Sequence, residues 1–508
     1  MCGVSGVIFK KKFIEKEKII TMNGLISHRG PDQSGYLEFN NLLLGHVRLS
    51  VLDISNKGRQ PMSNDERYSI IYNGEVYNYK ELRETLIKKN YNFYSKTDTE
   101  VVLNSYKEWG FDCFEKFNGD WVISILDKKE KTLIIARDGI GTKPCFILED
   151  NDYFAFCSEI KGFMALNGEL KFDRNNLGIS PISLCSYSKT KFENIKELTP
   201  GKILKIDLQT LEKKNYRWYY PLENLPKIHP NYEVNQGEYY ELLYNATNLR
   251  LDADLKIGTS LSGGVDSSVI FTLLNIINKN EKNLENKIID LNPTLMNFEG
   301  NRTSNFAIEL AKKYNKVCEI IESTNEKNLD DITKLVSSLE IVDEYFFQPL
   351  LYESQKAAGI HVTIDGHGSD EFLGMPNFFQ YLSINNYNNI INSNNALENY
   401  DAKKNKEVLR QIFGQMVDLN KPLDVNFVNL PDNKNYLDKY IPNSFFKSED
   451  LLINEDIEVL KNFSTDLSYF YYKTHCGFMQ FFLNKWDHAS MSSAVEVRSP
   501  FLDKNVYL

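Results

Sequence analysis

Apolar residues in the first part of the chain come in short runs: residues 3–9, 42–44, 68–72, 121–126, 132–136, 153–156 and 202–206. Gly, Asn and Asp punctuate these runs, a rhythm that predicts strands stacked in layered sheets. Two stretches switch to helical spacing. Residues 80–89 carry Leu82, Leu86 and Ile87, and the segment after Thr97 carries Val101, Val102, Tyr106 and Trp109 before Gly110. Residues 218–237 hold Pro221, Pro226 and Pro230 and read as a linker between a domain at 1–217 and another at 238–508. Beyond it the rhythm changes: helix 238–251, strand 256–261, helix 267–277, strand 287–291, helix 304–314, strand 317–321, helices 330–341 and 350–358, strand 360–365. Strands alternating with helices predict a parallel sheet, with ligands at the carboxyl ends of its strands. The Asn-rich stretch at 383–400 reads as composition bias, and no fixed-period repeat occurs.

Composition narrows the function classes. The 508 residues suit two or three domains. Lys and Arg number 59 against 69 Asp and Glu, a net charge of −10 that argues against wrapping nucleic acid. A hydrophobic share of 42% excludes wholesale disorder. Seven cysteines without a CxxC pair indicate neither a disulfide framework nor a cysteine-rich zinc site. No apolar run approaches the ~18 residues of a membrane span, and the short apolar patch before the amino-terminal lysines reverses the order of a secretory signal. A soluble, reduced, cytoplasmic protein is expected.

The candidate chemistry begins at Cys2. Removal of a methionine before a small residue leaves a free α-amine, with a pKa near ~8, beside the thiol. One residue then supplies both nucleophile and base. Downstream stand SHRGPDQSG (27–35), LGHVRLSVLD (44–53), RQPM (59–62), YNGEVYNY (72–79), KTDTEVVL (96–103), FNGDWVISILD (117–127), ARDGIGTKP (136–144) and FCSEIKG (156–162). In order and content these resemble the glutaminase domain of class II glutamine amidotransferases, as in glutamine-dependent asparagine synthetases. Hydrolysis of a side-chain amide passes through an oxyanion that needs two donors, suited to the Asn73 amide and the Gly74 backbone N–H. A forked cation, Arg48, suits the substrate α-carboxylate, and Asp98 with Glu75 suits its α-ammonium; the resemblance adds Val51 to this glutamine pocket. Each residue also has a plain structural reading. Asn73-Gly74 looks like a tight hairpin turn, Thr97 with Glu100 like a capping box that explains Asp98, and Arg48 like a surface charge.

KIGTSLSGGVDSSVIFTLL (256–274) runs from a strand through a glycine turn into an apolar helix. Gly263 and Gly264 let backbone N–H groups approach phosphate, and Ser262, Ser267 and Ser268 add hydroxyls. Asp266 in such an anion site implies a bridging Mg²⁺, and no GxxxxGK[ST] element occurs. The heptapeptide resembles the pyrophosphate loop of enzymes that split ATP into AMP and pyrophosphate, with Leu261 at its start. TIDGHGSDEFLG (363–374) is similar to asparagine synthetases, which implies Asp370 as second Mg²⁺ ligand and Asp365-Gly366 beside the adenylate. A helix amino-terminus equally explains Asp370-Glu371. FLNKWDHASMSSAVEVRSPFLD (482–503) is similar to the family's closing motif, with Asp487, Glu496, Arg498 and Asp503 structural or lining the acceptor pocket.

The resemblance implies an α/β protein: an Ntn-type layered α-β-β-α glutaminase domain, then a parallel-sheet ATP-pyrophosphatase domain of adenine nucleotide α-hydrolase type. Its implied activity forms a Cys2 thioester from glutamine and channels ammonia to an acyl-adenylate made from ATP and a carboxylate acceptor, aspartate first. The products are an amide, glutamate, AMP and pyrophosphate. A sugar-acid or natural-product carboxylate as acceptor, or a scaffold that keeps the fold, are the alternatives, and a homodimer is one option for assembly. Two departures shift the acceptor site. His367 stands where the family has glutamate or tyrosine and is a candidate base, and NRTSN (301–305) replaces an acidic pair. The stop at Leu508, just after the PFLD element, reads as a truncated carboxyl end, before the family's lysine that serves adenylation.

Overall fold

The computed structural model describes residues 1–11, 14–176, 185, 188–219, 232–280, 289–297, 303–322, 340, 348–370 and 478–507. Apart from Asp370, these lie in one compact unit made of Met1–Ser369 and Lys473–Leu508. The predicted helix 330–341 apart from Glu340, the three linker prolines, the Asn-rich stretch, Glu371 and Leu508 fall outside the described residues, as do the first two residues of the strand predicted at 287–291 and the start of NRTSN.

The amino-terminal half is a sandwich of two antiparallel sheets. One contains β1 (Gly3–Phe9), β2 (Gln33–Phe39), β3 (Leu42–Arg48), β7 (Phe146–Glu149), β8 (Tyr153–Cys157) and β9 (Ile195–Glu197), in the order β2-β3-β1-β8-β7-β9. The other contains β4 (Tyr68–Val76), β5 (Gly119–Asp127), β6 (Thr132–Arg137), β10 (Lys202–Asp207) and β11 (Lys213–Arg217), in the order β11-β10-β6-β5-β4. Val4, Ile8, Leu42 and Leu44 of the first sheet meet Ile71, Val122, Ile135 and Leu204 of the second in a buried layer. The outer face of the first sheet is covered by α1 (Lys16–Leu25) through Ile19 and Met22. The outer face of the second is covered by α2 (Tyr79–Lys88) and α3 (Asp98–Trp109) through Leu82, Leu86, Val101 and Val102. The four layers run α-β-β-α, as expected.

Local chemistry explains the element ends. The Thr97 hydroxyl accepts from the Glu100 N–H at the start of α3. The Glu100 carboxylate reaches past the cap to the N–H groups of Tyr94 and Ser95, so the expected capping box closes on only one side. Gly110, at φ +58°, ends the helix.

In the carboxyl half, β12 (Ile257–Thr259), β15 (Val362–Ile364) and β16 (Glu496–Arg498) are parallel neighbours. A parallel pair, β13 (Thr294–Asn297) and β14 (Glu319–Glu322), joins them through bridges from Ile257 to Ile289 and from Ser260 to Thr294. The strand expected at 287–291 is therefore realised a few residues later. Asp290 caps the turn there by accepting from the Asn292 N–H, and pairing with β14 starts only at Thr294. Helices α4 (Tyr232–Leu249), α5 (Val265–Asn280), α6 (Thr303–Lys313), α7 (Gln348–Ala357) and α8 (Phe478–Met491) surround these strands. Helix α4 takes in the last six residues, 232–237, of the stretch read as linker. Met1, Leu49 and Val51 from the amino-terminal half pack in one buried cluster with Leu251, Ile270, Leu274, Ile364 and Phe501. The two halves therefore share a core.

Candidate functional site

Cys2 sits at the start of β1, buried, with Met1 still attached. Its backbone N–H, the atom that becomes the α-amine once Met1 is removed, donates to the Asn73 side-chain oxygen at 2.9 Å. Asn73 is fully buried, and its Nδ2 has no partner among the described residues. An orphaned buried donor costs stability unless something fills the position it faces. Its neighbour Gly74 has φ +141°, and a Cβ there would meet the Asp120 carbonyl oxygen at 2.0 Å. Asn73-Gly74 is not a hairpin turn: both residues lie inside β4, paired with Val122 and Trp121 of β5. Burial pushes the Cys2 thiol above its ordinary pKa, so it stays protonated at neutral pH and needs a base close by.

Arg48 ends β3. Its two terminal nitrogens donate to the carbonyls of Leu52, Asp53 and Ser55 and to Gln33 Oε1, at 2.6–3.0 Å. The guanidinium thus organises the 49–58 loop, and a bidentate grip on a carboxylate requires exchange of one of these contacts. Val51 lies on that loop, buried. Asp98 accepts from the Tyr72 hydroxyl at 2.7 Å and from the Val76 N–H at 3.0 Å. Burial, partly offset by those two bonds, raises its pKa to about 6. Glu75 is raised as well, by burial first and then by the charge of Asp98.

Two residues of the carboxyl half reach into this pocket. Glu496 pairs with the Met1 ammonium and accepts from Arg498 Nε at 2.7 Å. Arg498 in turn lies 3.5 Å from Glu75. Burial alone would raise Glu496, but the Met1 ammonium and Arg498 outweigh it and hold the carboxyl at about 2.

The second site lies where β12 and β15 end. Leu261 is buried, and Ser262, Gly263 and Gly264 lead into α5, whose first residue Val265 is exposed. Gly263 has φ +82°, and a Cβ there would meet the Thr303 carbonyl at 2.0 Å. The Ser262 and Ser267 hydroxyls are 3.0 Å apart, and Ser268 donates to the Gly264 carbonyl. A Cβ on Gly366 would come within 2.8 Å of the Asp266 backbone, so the Asp365-Gly366 turn is pressed onto this loop. Asp365 accepts from the Ser260 hydroxyl at 2.6 Å. His367 stacks on Trp486, with ring centroids 4.1 Å apart and planes 10° from parallel, and its Nε2 is 3.2 Å from the Tyr352 hydroxyl. Burial lowers the His367 pKa, against the pull of Asp365, so the ring is neutral at neutral pH. Asp370 is exposed, and its pairing with Asp266 rests on the resemblance alone.

Among the described residues no group of three or more His, Cys, Asp or Glu side chains could hold a metal ion. A carboxylate such as Asp266 beside a serine-glycine turn is compatible with a Mg²⁺ that arrives with nucleotide, because that ion takes one or two carboxylates and completes its shell from phosphates and water.

Sequence reasoning passed over Arg29, Tyr352 and Trp486 as functional residues. Arg29 and Trp486 lie inside the motifs SHRGPDQSG and FLNKWDHAS, which was the available signal; Tyr352, on α7, gave none.

The family model for a glutamine amidotransferase domain matches residues 1–218, and that for asparagine synthase matches residues 238–507. Asparagine synthetase (glutamine-hydrolyzing) 1 of Bacillus subtilis is 28% identical over 547 aligned residues, covering 100% of this chain and 80% of the relative. Asparagine synthetase (glutamine-hydrolyzing) 3 of the same organism is 37% identical over 53% of this chain and 44% of its own length. Amidase chry2 of Gibberella zeae is 29% identical over 70% of this chain and 55% of its own. A glutamine phosphoribosylpyrophosphate amidotransferase structure from B. subtilis is 14% identical over 72% of this chain and 80% of its own, with a TM-score of 0.33, too low to place residues. A buried cysteine and its asparagine partner in one half, and a strand-to-helix serine-glycine loop in the other, thus occur in a chain that belongs to the asparagine synthase family, ligases that take their nitrogen from glutamine.

Proposed function

We propose that the protein makes a primary amide in two linked steps, with residues 1–217 as glutaminase, 218–237 as linker and 238–508 as ATP-dependent synthetase. The observation that carries this reading is Asn73: its oxygen holds the Cys2 nitrogen at 2.9 Å while its buried Nδ2 has no partner among the described residues. Once Met1 is removed, the Cys2 α-amine takes the thiol proton and the sulfur attacks the glutamine amide. Asn73 Nδ2 and the Gly74 N–H stabilise the oxyanion, and ammonia leaves as the thioester forms. Arg48 and Val51 shape the side of the pocket toward the α-carboxylate, and Asp98, with Glu75, receives the α-ammonium. In the second half, Ser262, Gly263, Gly264, Ser267 and Ser268 receive the phosphates of ATP, and Asp365-Gly366 borders the adenylate. Asp266 and Asp370 would hold Mg²⁺, which supplies charge neutralisation at the pyrophosphate. His367, neutral and in contact with Tyr352, takes the proton from attacking ammonia. The junction between the halves is lined by buried pairs such as Asn118 with Asp503, at 2.9 Å, which suits a water-poor passage that keeps ammonia unprotonated.

Aspartate is the first acceptor. A second reading keeps the chemistry and changes the acid, and the Trp486–His367 stack supports it by placing a flat neutral surface where the family's acidic residue would stand. We place the protein in a reducing, cytoplasmic compartment: no helix among the described residues is long and apolar enough to cross a membrane, and all six described cysteines are free. The test is to incubate the protein with glutamine, Mg-ATP and single acids. AMP and glutamate with aspartate support the first reading, and AMP only with a sugar acid or other carboxylate supports the second. No adduct on Cys2 after exposure to a glutamine-like electrophile would leave a scaffold.

The pKa of Asp98 near 6 sets a pH dependence. Below that pH the carboxyl is protonated and cannot pair with an ammonium. Glutamine binding to the Cys2→Ala protein is therefore expected to weaken up to about tenfold per pH unit below pH 6. Asp98→Asn should bind roughly 30-fold more weakly at pH 7.5, the loss of one charged hydrogen bond, with no such slope. Calorimetric titration between pH 5 and 8 reads both effects.

A further inference from the structure

Helix α8 touches both reaction centres. On the amino-terminal side, Asp487 Oδ2 lies 2.7 Å from an Arg29 terminal nitrogen. Arg29 is fully buried; its Nε donates to the Cys2 carbonyl at 3.0 Å and its other terminal nitrogen to Glu159 at 2.8 Å. The same helix is fastened to the amino-terminal half at two more points. Gln480 donates to the Ile140 carbonyl, and Asn484 donates to Glu197 at 3.1 Å. On the other side, Trp486, one residue before Asp487, stacks on His367. Ala489 packs against Tyr352, whose hydroxyl meets both His367 and Asp365. A stiff helix with buried polar contacts at one face and an aromatic stack at another moves as a body, because close-packed interiors switch between arrangements rather than deform smoothly.

We propose that α8 couples the two reactions, with Asp487 as a positioning residue that sets the Cys2 carbonyl through Arg29, and with Trp486 sensing the turn at His367. The proposal rests on the two-site reading given above. Ligand binding beside His367 shifts Trp486, the helix follows, and the Arg29 clamp on Cys2 tightens, so glutamine is cleaved chiefly when an acceptor is ready. The mark of such coupling is a change at one site caused by residues of the other.

The test uses the full chain with Met1 removed and reads glutamine hydrolysis. Asp487→Asn keeps the shape and removes the charge. It is expected to lower kcat about tenfold while KM for glutamine stays within twofold, because Asp487 does not touch the substrate. Combining it with Arg29→Gln should cost no more than the worse single change, the mark of two residues acting through each other. Where Asp487→Asn fails to fold, Trp486→Leu serves: it should reduce the response of glutamine hydrolysis to Mg-ATP with aspartate at least threefold. Parental kcat in Asp487→Asn, or a parental response in Trp486→Leu, overturns the coupling. A parent protein that hydrolyses no glutamine overturns the functional reading instead, so the two failures are separable.

Discussion

Replacing Cys2 by alanine is expected to abolish glutamine-dependent amide formation, by at least about 10³-fold, while ammonium salts still support AMP formation. In the proposed mechanism the sulfur is the only atom on that residue able to carry the acyl group, so its removal leaves nothing for the remaining machinery to stabilise. The change is gentle on the fold. Cys2 is buried, and among the described residues its thiol donates one long hydrogen bond, 3.9 Å to the Leu49 carbonyl, so the small cavity costs on the order of 1 kcal/mol. Two assays on one preparation check this: glutamate release, and AMP formation with ammonium chloride at alkaline pH. Glutamate release at the parental rate would remove Cys2 from the reaction.

The largest expected effect on stability belongs to Arg498. Its side chain is fully buried; Nε donates to Glu496, one terminal nitrogen donates to the carbonyls of Arg250 and Asp252 at 2.8 Å, and the other faces Glu75. Burial opposes its charge, yet Glu496 and Glu75 more than compensate and raise its pKa. Arg498→Met fills much of the space and leaves two carboxyl groups and two carbonyls without their donor. Breaking a buried pair in this way costs about 3–5 kcal/mol. At roughly 2–4 °C per kcal/mol for a domain of this size, unfolding should move down on the order of 10 °C. A scanning thermal melt reads the shift. Adding Glu496→Gln should recover part of it by removing the stranded charge. The backbone of Arg498 also accepts from the Asp365 N–H, so loosening it should disturb the second site as well as the surroundings of Cys2.

Much of the fold was legible because burial leaves a mark on spacing. Strands β1, β5, β6, β8 and β10 were foreseen within a residue or two, since central strands of a covered sandwich are apolar on both faces. Edge and half-exposed strands left no such mark. β2 shows only Gly35 buried, and β11, exposed almost throughout, reads Lys213-Lys214-Asn215. Helix α1 was hidden by its lysines, although Ile19 and Met22 stand three apart on its buried side. In the carboxyl half the alternation of strand and helix was plain, but the strand at Thr294–Asn297 was displaced from expectation because the partner strand, not the apolar run, decides where pairing begins.

The candidate site divides along the same line. Chain order alone determined that a cysteine follows the initiator, that an Asn-Gly pair and an Arg accompany it, and that a serine-glycine turn links a strand to a helix; these are local patterns tied to one chemistry each. Tertiary structure decided which of them meet. It placed Asn73 inside a strand with one amide donor unfilled among the described residues, committed the Arg48 fork to loop carbonyls, and brought Glu496, Arg498 and Asp487 from nearly five hundred residues away to the surroundings of Cys2. Contacts of that kind carry no periodic signature, because each depends on a single long-range juxtaposition of buried charges whose desolvation is tolerable only when every partner is present.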